Sequence, residues 1–254
     1  MKSHTSMWLL CYALFFATAC KKESTSSVND AGLAMVLKEQ PYNTQEFRAA
    51  NFSLMKAIDN PYFPLIPGTV FRYINTINED GETSHEHIQV TVTSDIKKIL
   101  GVNCEVVHDQ VKEDGKVTED TYDWYAQDIF GNLWYFGEYT QALTDTGWST
   151  EGSWEAGVDG ALPGIAMFAD PGLFIGITYH QEFLQGVAED EAKVINTTSN
   201  ATVAYGHFTN CVKTKEFTRL APDDIEFKFY AKGVGQVLTK SETEREELIS
   251  ITKN

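Results

Sequence analysis

The sequence predicts a mainly β protein, an antiparallel meander curved into a barrel, half barrel or sandwich and preceded by one or two short helices. Three observations carry this. From Thr69 onward apolar and polar residues alternate over short runs, as in Ile225, Phe227 and Phe229 against Glu226, Lys228 and Tyr230, the period of a strand with two different faces. Turn formers separate the runs, among them Asn78-Glu-Asp-Gly81 and Glu113-Asp-Gly-Lys116, and Asp-Gly between alternating segments signals a hairpin. Many short strands joined this way make a sheet that closes or folds on itself.

Ahead of the strands, Ala31 to Leu37 and Gln45 to Ile58 each carry an apolar patch of helical character, the second holding Phe47, Phe52, Leu54, Met55 and Ile58. Residues 31–59 are therefore read as a short helical lead-in and 60–254 as a single β-rich domain. The domain opens at Asn60-Pro-Tyr-Phe-Pro-Leu-Ile-Pro-Gly68, where the prolines forbid helix and Pro67-Gly68 sets a tight turn. Strands are predicted over Thr69 to Ile77, His87 to Thr93, Val102 to Val111, Val117 to Ala126 and Leu133 to Tyr139. Seven more follow, at Thr178 to Phe183, Ala192 to Asn196, Thr202 to Tyr205, Cys211 to Phe217, Ile225 to Ala231, Val234 to Lys240 and Glu247 to Thr252. Trp148 to Gly176, rich in glycine, is predicted as one long irregular loop, and loops of that length are often functional.

The first nineteen residues have the layout of a secretory signal: Lys2, an apolar run from Met7 to Phe16, then Ala17, Thr18 and Ala19 before Cys20. The run is too short to span a bilayer. Ala17-Thr18-Ala19-Cys20 resembles the bacterial lipobox, with Ala17 where leucine is usual, and this implies acylation of Cys20 after cleavage; simple cleavage after Ala19 is the alternative. Residues 20–30 then form a polar tether, Lys21 to Ser27 offering nothing to bury. Acyl chains on Cys20 are the expected membrane contact, and a basic residue after the cysteine is similar to lipoproteins sorted to an outer membrane or the cell surface.

The formal charge is −16, and loss of the leader removes Lys2 and no acidic residue, so nucleic acid and anionic headgroups are poor partners. The simplest reading of this balance is a solvated acidic surface. Cys104 and Cys211 are the cysteines left for the folded part; in an oxidising compartment they either pair or stay separately buried, and geometry decides.

Beyond these patterns, the chain resembles a family of uncharacterised bacterial secreted or lipoprotein β-rich proteins. The resemblance rests on Asn60 to Gly68, Trp124-Tyr-Ala-Gln-Asp128, Trp134-Tyr-Phe-Gly-Glu138, Glu151-Gly-Ser-Trp-Glu-Ala-Gly-Val-Asp-Gly160, Gly186-Val-Ala-Glu-Asp190 and Tyr230-Ala-Lys-Gly-Val-Gly235. It implies a fold and no activity.

Two clusters carry candidate chemistry. Trp124, Tyr125, Trp134 and Tyr135 share a hairpin with Asp123, Asp128 and Glu138, so the rings can stack on a sugar or other flat ligand while the carboxylates hold hydroxyls or a cation; cross-strand aromatic pairs in a core are the competing explanation. The second joins Trp154, Glu155 and Asp159 to His180, Glu182, Glu189 and Asp190, whose carboxyls suit Ca2+ or a pair of hydrolytic groups. His85 and His87 share a strand face, a metal pair or, more simply, a solvated face. Gly-x-Ser-x-Gly and His-Glu-x-x-His are absent. The expected role is binding of an apolar ligand, a glycan or a protein partner at the envelope, with a carboxylate-based hydrolase and a calcium-stabilised module as alternatives.

Overall fold

The computed structural model describes residues 47–52 and 57–253. Cys20, the tether, the Ala31 to Leu37 patch, Leu54 and Met55 lie outside them. Five long strands form the first meander: β1 (Thr69–Glu79), β2 (Glu82–Ile99), β3 (Val102–Glu113), β4 (Lys116–Gln127) and β5 (Leu133–Thr144). Three of its four connections are two-residue turns with both φ angles positive: Asp80-Gly81 at 51° and 82°, Leu100-Gly101 at 49° and 85°, Asp114-Gly115 at 50° and 76°. That is the type I′ turn, whose twist matches the flanking strands. β6 (Gly147–Ser149) and β7 (Trp154–Glu155) hang on β5, and β8 (Leu162–Met167) takes the next place beside it.

The second meander is β11 (Asp190–Val203), β12 (Gly206–Thr218), β13 (Ile225–Ala231), β14 (Gly235–Lys240) and β15 (Glu244–Lys253), and β15 pairs back on β1. Between the two runs lie β9 (Thr178–His180), paired with β11, and β10 (Glu182–Phe183), paired with β8. Gln181 N donates to Asp190 O at 2.8 Å. One stretch of six residues thus bonds to both ends of the sheet and nearly closes it into a barrel. The predicted loop from Trp148 to Gly176 is corrected here: it supplies β6, β7 and β8, and β8 is a barrel strand. Pro163 and Gly164 disguise it, yet Gly164 is what allows the seam, since a Cβ there would lie 2.2 Å from the carbonyl carbon of Gln181.

Among the described residues before β1, the helical content is one short 3-10 turn, Ala49–Asn51. Its flanking Phe47 and Phe52 cover Trp134 and Phe136 with ring centroids 5.5–6.1 Å apart, edge-to-face geometries that seal the outside of β5. A second 3-10 turn, Pro171–Phe174, follows β8.

Antiparallel pairing sorts the turns to two ends. Asp80, Asp114, Asp145, Asp223 and Glu242 stand in five connections at one end, all exposed. The other end is plugged by Asn60 to Gly68. Fully buried Asn60 donates its amide to Gly131 O at 2.9 Å and Met167 O at 3.3 Å, and accepts from the backbone of Tyr62 and Phe63. Gly233 N donates to Pro61 O and Gly68 N to Val92 O. Phe63 then reaches inside, its ring 6.0 Å from Tyr125 and 5.7 Å from Tyr230.

Candidate functional site

A cavity of about 270 Å³ fills the barrel above this plug. Its floor is apolar, with Phe63, Leu65, Phe71, Ile88, Val90 and Val107; its wall carries nine carboxyl side chains and one ammonium, Lys228. The lining reaches the exposed Glu151 and Val187, so the cavity opens to the surface. Strand period produces this wall. On β4, Glu119, Thr121, Asp123 and Tyr125 all face the lumen, each two residues from the last.

Asp123 and Glu138 are register partners on β4 and β5. The Tyr135 hydroxyl lies 2.7 Å from Asp123 Oδ1 and 2.9 Å from Glu138 Oε2. Burial pushes both carboxyls up, and each feels the other's charge or shares that phenol. Glu182 and Asp190 enter from the seam; burial raises both, and for Glu182 the neighbouring Asp190 and Glu138 add to the effect. Burial likewise lifts Glu119 to about 7 and Glu246 to about 8. Lys228 sits 2.9 Å from Glu216 and 3.6 Å from Glu226; burial pulls its ammonium down, and these carboxylates more than reverse that. Among the described residues, three lumenal carboxyl oxygens have no hydrogen-bond partner: Asp109 Oδ1, Asp190 Oδ1 and Glu246 Oε2. Glu246 is 3% exposed, and an unpaired buried acceptor costs about 1–3 kcal/mol.

The sequence-predicted residues divide. Tyr125 and Tyr135 line the lumen, stacked with centroids 4.8 Å apart. Trp124, Trp134 and Trp154 are corrected to core: Trp124 lies beneath Lys97, whose ammonium is 3.2 Å from the ring centroid, and Trp134 Nε1 donates to Asp128. Trp154, on β7, lies near enough to Glu182 to favour its charged form. Among the acids, Asp123, Glu138, Glu182 and Asp190 converge on the lumen. Asp128 instead caps the β4–β5 turn, Glu155 pairs with Lys97 at 2.7 Å, and Glu189 accepts from Gly186 N in an exposed turn.

Two further expectations are corrected. Among the described residues no group of three or more His, Cys, Asp or Glu side chains is arranged to hold a metal ion, so the Ca2+ module has no ligand set there. Cys104 and Cys211 are free buried thiols, on β3 and β12, with β2, β1, β15, β14 and β13 between them in the sheet. Of the carboxyls considered for hydrolysis, Glu155 and Glu189 stay outside the lumen, while Glu182 and Asp190 both line it. His85 and His87 are exposed.

Sequence reasoning missed Asp109, Glu119, Glu246, Tyr73, Tyr230 and Lys228. A signal was available: Glu119, Thr121 and Asp123 stand on the face opposite Tyr122 and Trp124, and a polar face backing an aromatic one leaves open which of the two is enclosed.

No family model and no curated protein matches the chain. Two solved structures do. One is a protein of Bacteroides fragilis described as exported with a YmcC-like fold, 15% identical, with a TM-score of 0.42, covering 76% of this chain and 99% of its own. The other is a protein of Parabacteroides distasonis described as a lipoprotein, 11% identical, with a TM-score of 0.39, covering 78% of this chain and 100% of its own.

Proposed function

We propose that this chain is an exported, lipid-anchored, non-catalytic binding protein whose barrel takes a small organic cation, a protonated amine on an apolar body. The observation that carries the reading is the lumen wall, where nine carboxyls face one ammonium and three carboxyl oxygens lack partners above an apolar floor. Ionised carboxyls are disfavoured in so small a buried volume. A cation entering beside them makes ionisation favourable and leaves as few unpaired acceptors as the geometry allows. Tyr125, Tyr135 and Tyr230 add ring faces that attract positive charge. The Cys20 anchor, read from the leader, would hold this receptor at the membrane.

Calorimetric titration of residues 21–254 with phenethylamine, and with 2-phenylethanol as its uncharged counterpart, tests the reading. The amine is expected to bind, more tightly at pH 8 than at pH 6 because binding expels protons, and Asp123→Asn and Glu182→Gln weaken it. Equal binding of the alcohol, or amine affinity indifferent to both substitutions, overturns it.

A further inference from the structure

We propose that the plugged end of the barrel rests on a lipid bilayer surface, with the acidic end and the lumen mouth turned away from it. Large apolar side chains stand in solvent at this end, five of them in two adjoining segments. Ile129 and Phe130 occupy the β4–β5 turn, and Leu173, Ile175 and Ile177 the segment after β8; Phe130 is 66% and Leu173 76% exposed. The two groups adjoin: Ala169 N donates to Asn132 Oδ1 at 3.0 Å, and a Cβ on Gly131 would meet Ala169 at 3.1 Å. The second segment then crosses to the other half of the barrel, where Gly176 N donates to Val194 O. Clustered exposed side chains of this size mark an interaction surface.

Three features select a bilayer as the occupant. The chain reaches the barrel at this same end, for Phe52 bridges Asp128 and Ile129 N donates to Asn51 O at 2.8 Å; residues 20–46 therefore connect the cysteine read as lipid-bearing to the edge of the patch. The far end carries acidic residues in all five of its turns, beside Lys116 and Lys240, whereas this end sets Lys232 and Lys253 beside Asp59 and Asp170 and is the less acidic of the two. The plug closes the lumen here, so contact with lipid leaves the cavity accessible. Apolar side chains set in a headgroup layer beside a covalent anchor supply the second signal that one lipid attachment needs for stable binding.

The inference rests on the anchor reading, and the experiment separates the two. Residues 20–254 are coupled through Cys20 to a maleimide lipid in phosphatidylcholine and phosphatidylethanolamine vesicles, Cys104 and Cys211 being fully buried. Coupling bypasses cellular acylation, whose own test is the intact mass of the membrane-extracted protein. Hydroxyl-radical footprinting then reads side-chain oxidation on vesicles and in solution. Several-fold protection of Phe130 and Leu173, with the exposed Trp148 as reactive as before, is expected. Oxidation of Phe130 and Leu173 as fast on vesicles as in solution, or equal protection of Trp148, overturns the proposal.

Discussion

Asp123 and Glu138 face each other across the β4–β5 pair and hold a single phenol between them, the Tyr135 hydroxyl lying 2.7 Å from one and 2.9 Å from the other. A hydroxyl has one hydrogen, so it donates to one carboxylate and accepts from the other, which must be protonated. The raised affinity of both for protons agrees with that count. Tyr135→Phe removes the shared group and leaves two carboxyls facing each other. A loss of about 1–3 kcal/mol is expected, larger at pH 8 than at pH 5 because both carboxyls then tend to ionise. Urea unfolding at the two values checks it, and a pH-independent loss would show that the phenol only fills space.

Raised carboxyl pKa values make stability fall as pH rises. Glu119 and Glu246 take up protons at about 7 and about 8 in the folded chain, against ordinary values near 4.5. Between those limits the folded state binds more protons than the unfolded one, so the stabilisation is complete below about pH 4 and is lost as pH passes through 7 and 8. Each pKa unit is about 1.4 kcal/mol and each kcal/mol about 2–4 °C in a domain of this size. A melting temperature lower by roughly 10–20 °C at pH 8.5 than at pH 5.5 follows. Differential scanning fluorimetry reads it, and a flat profile would mean that solvent reaches the lumenal carboxyls.

The hairpins were legible because Asp80-Gly81 and Asp114-Gly115 state their turn type in two letters and the flanking runs alternate. The sense of the alternation was not. On β13 the charged face, with Lys228 and Tyr230, lines the lumen, while Phe227 and Phe229 lie outside beneath Lys213, whose ammonium is 4.1 Å and 5.4 Å from their rings. Period two separates two faces without saying which is enclosed, and only closure decides. For the same reason the acidic balance was read as a solvated surface, although Glu182, Glu216 and Glu246 are buried inside. The β8 strand was hidden by Pro163 and Gly164, residues that ordinarily end a strand.

Thiol chemistry separates the two readings of the cysteines. With Cys104 on β3 and Cys211 on β12 both buried, and burial raising each thiol, Cys104 to about 12, neither is nucleophilic in the native state. Ellman's reagent added to residues 21–254 should find no reactive thiol in buffer and both on unfolding in guanidinium without reductant. Silence after unfolding would establish a disulfide and sink this part of the structure.

Asp128 organises the end of the barrel on which the plug and the apolar patch are built. One carboxylate oxygen accepts from Phe130 N and Asn132 N at 2.9 Å, the other from Asn132 Nδ2 and Trp134 Nε1 at 3.0 Å, and the residue is 1% exposed. Asp128→Asn puts an N–H among donors. Loss of about 2–4 kcal/mol is expected, since charge-assisted bonds are broken and buried donors left unpaired. The unfolding midpoint measures it, and a near-neutral effect would contradict the four-donor geometry.

Closure of the barrel hangs on the contact between β8 and the stretch around Gln181. At Gly164 a Cβ would approach Gln181 C at 2.2 Å, Gln181 O at 2.3 Å and Glu182 N at 2.6 Å. These are backbone atoms, which cannot rotate away, so Gly164→Ala must push the strands apart. Glu182↔Pro163 and Phe183↔Leu162 are the register pairs that hold β10 on β8, and Glu182 is the carboxyl this stretch delivers to the lumen. The substitution should therefore cost about 2–3 kcal/mol, in the range of overpacking, and weaken amine binding beyond what an equally destabilising change elsewhere produces. Asn60→Ala, at the plug, is that comparison. Hydrogen exchange at Gln181 N, which bonds to Asp190 O, should accelerate in Gly164→Ala alone. Matching exchange in both variants would mean that the seam opens only with the whole barrel.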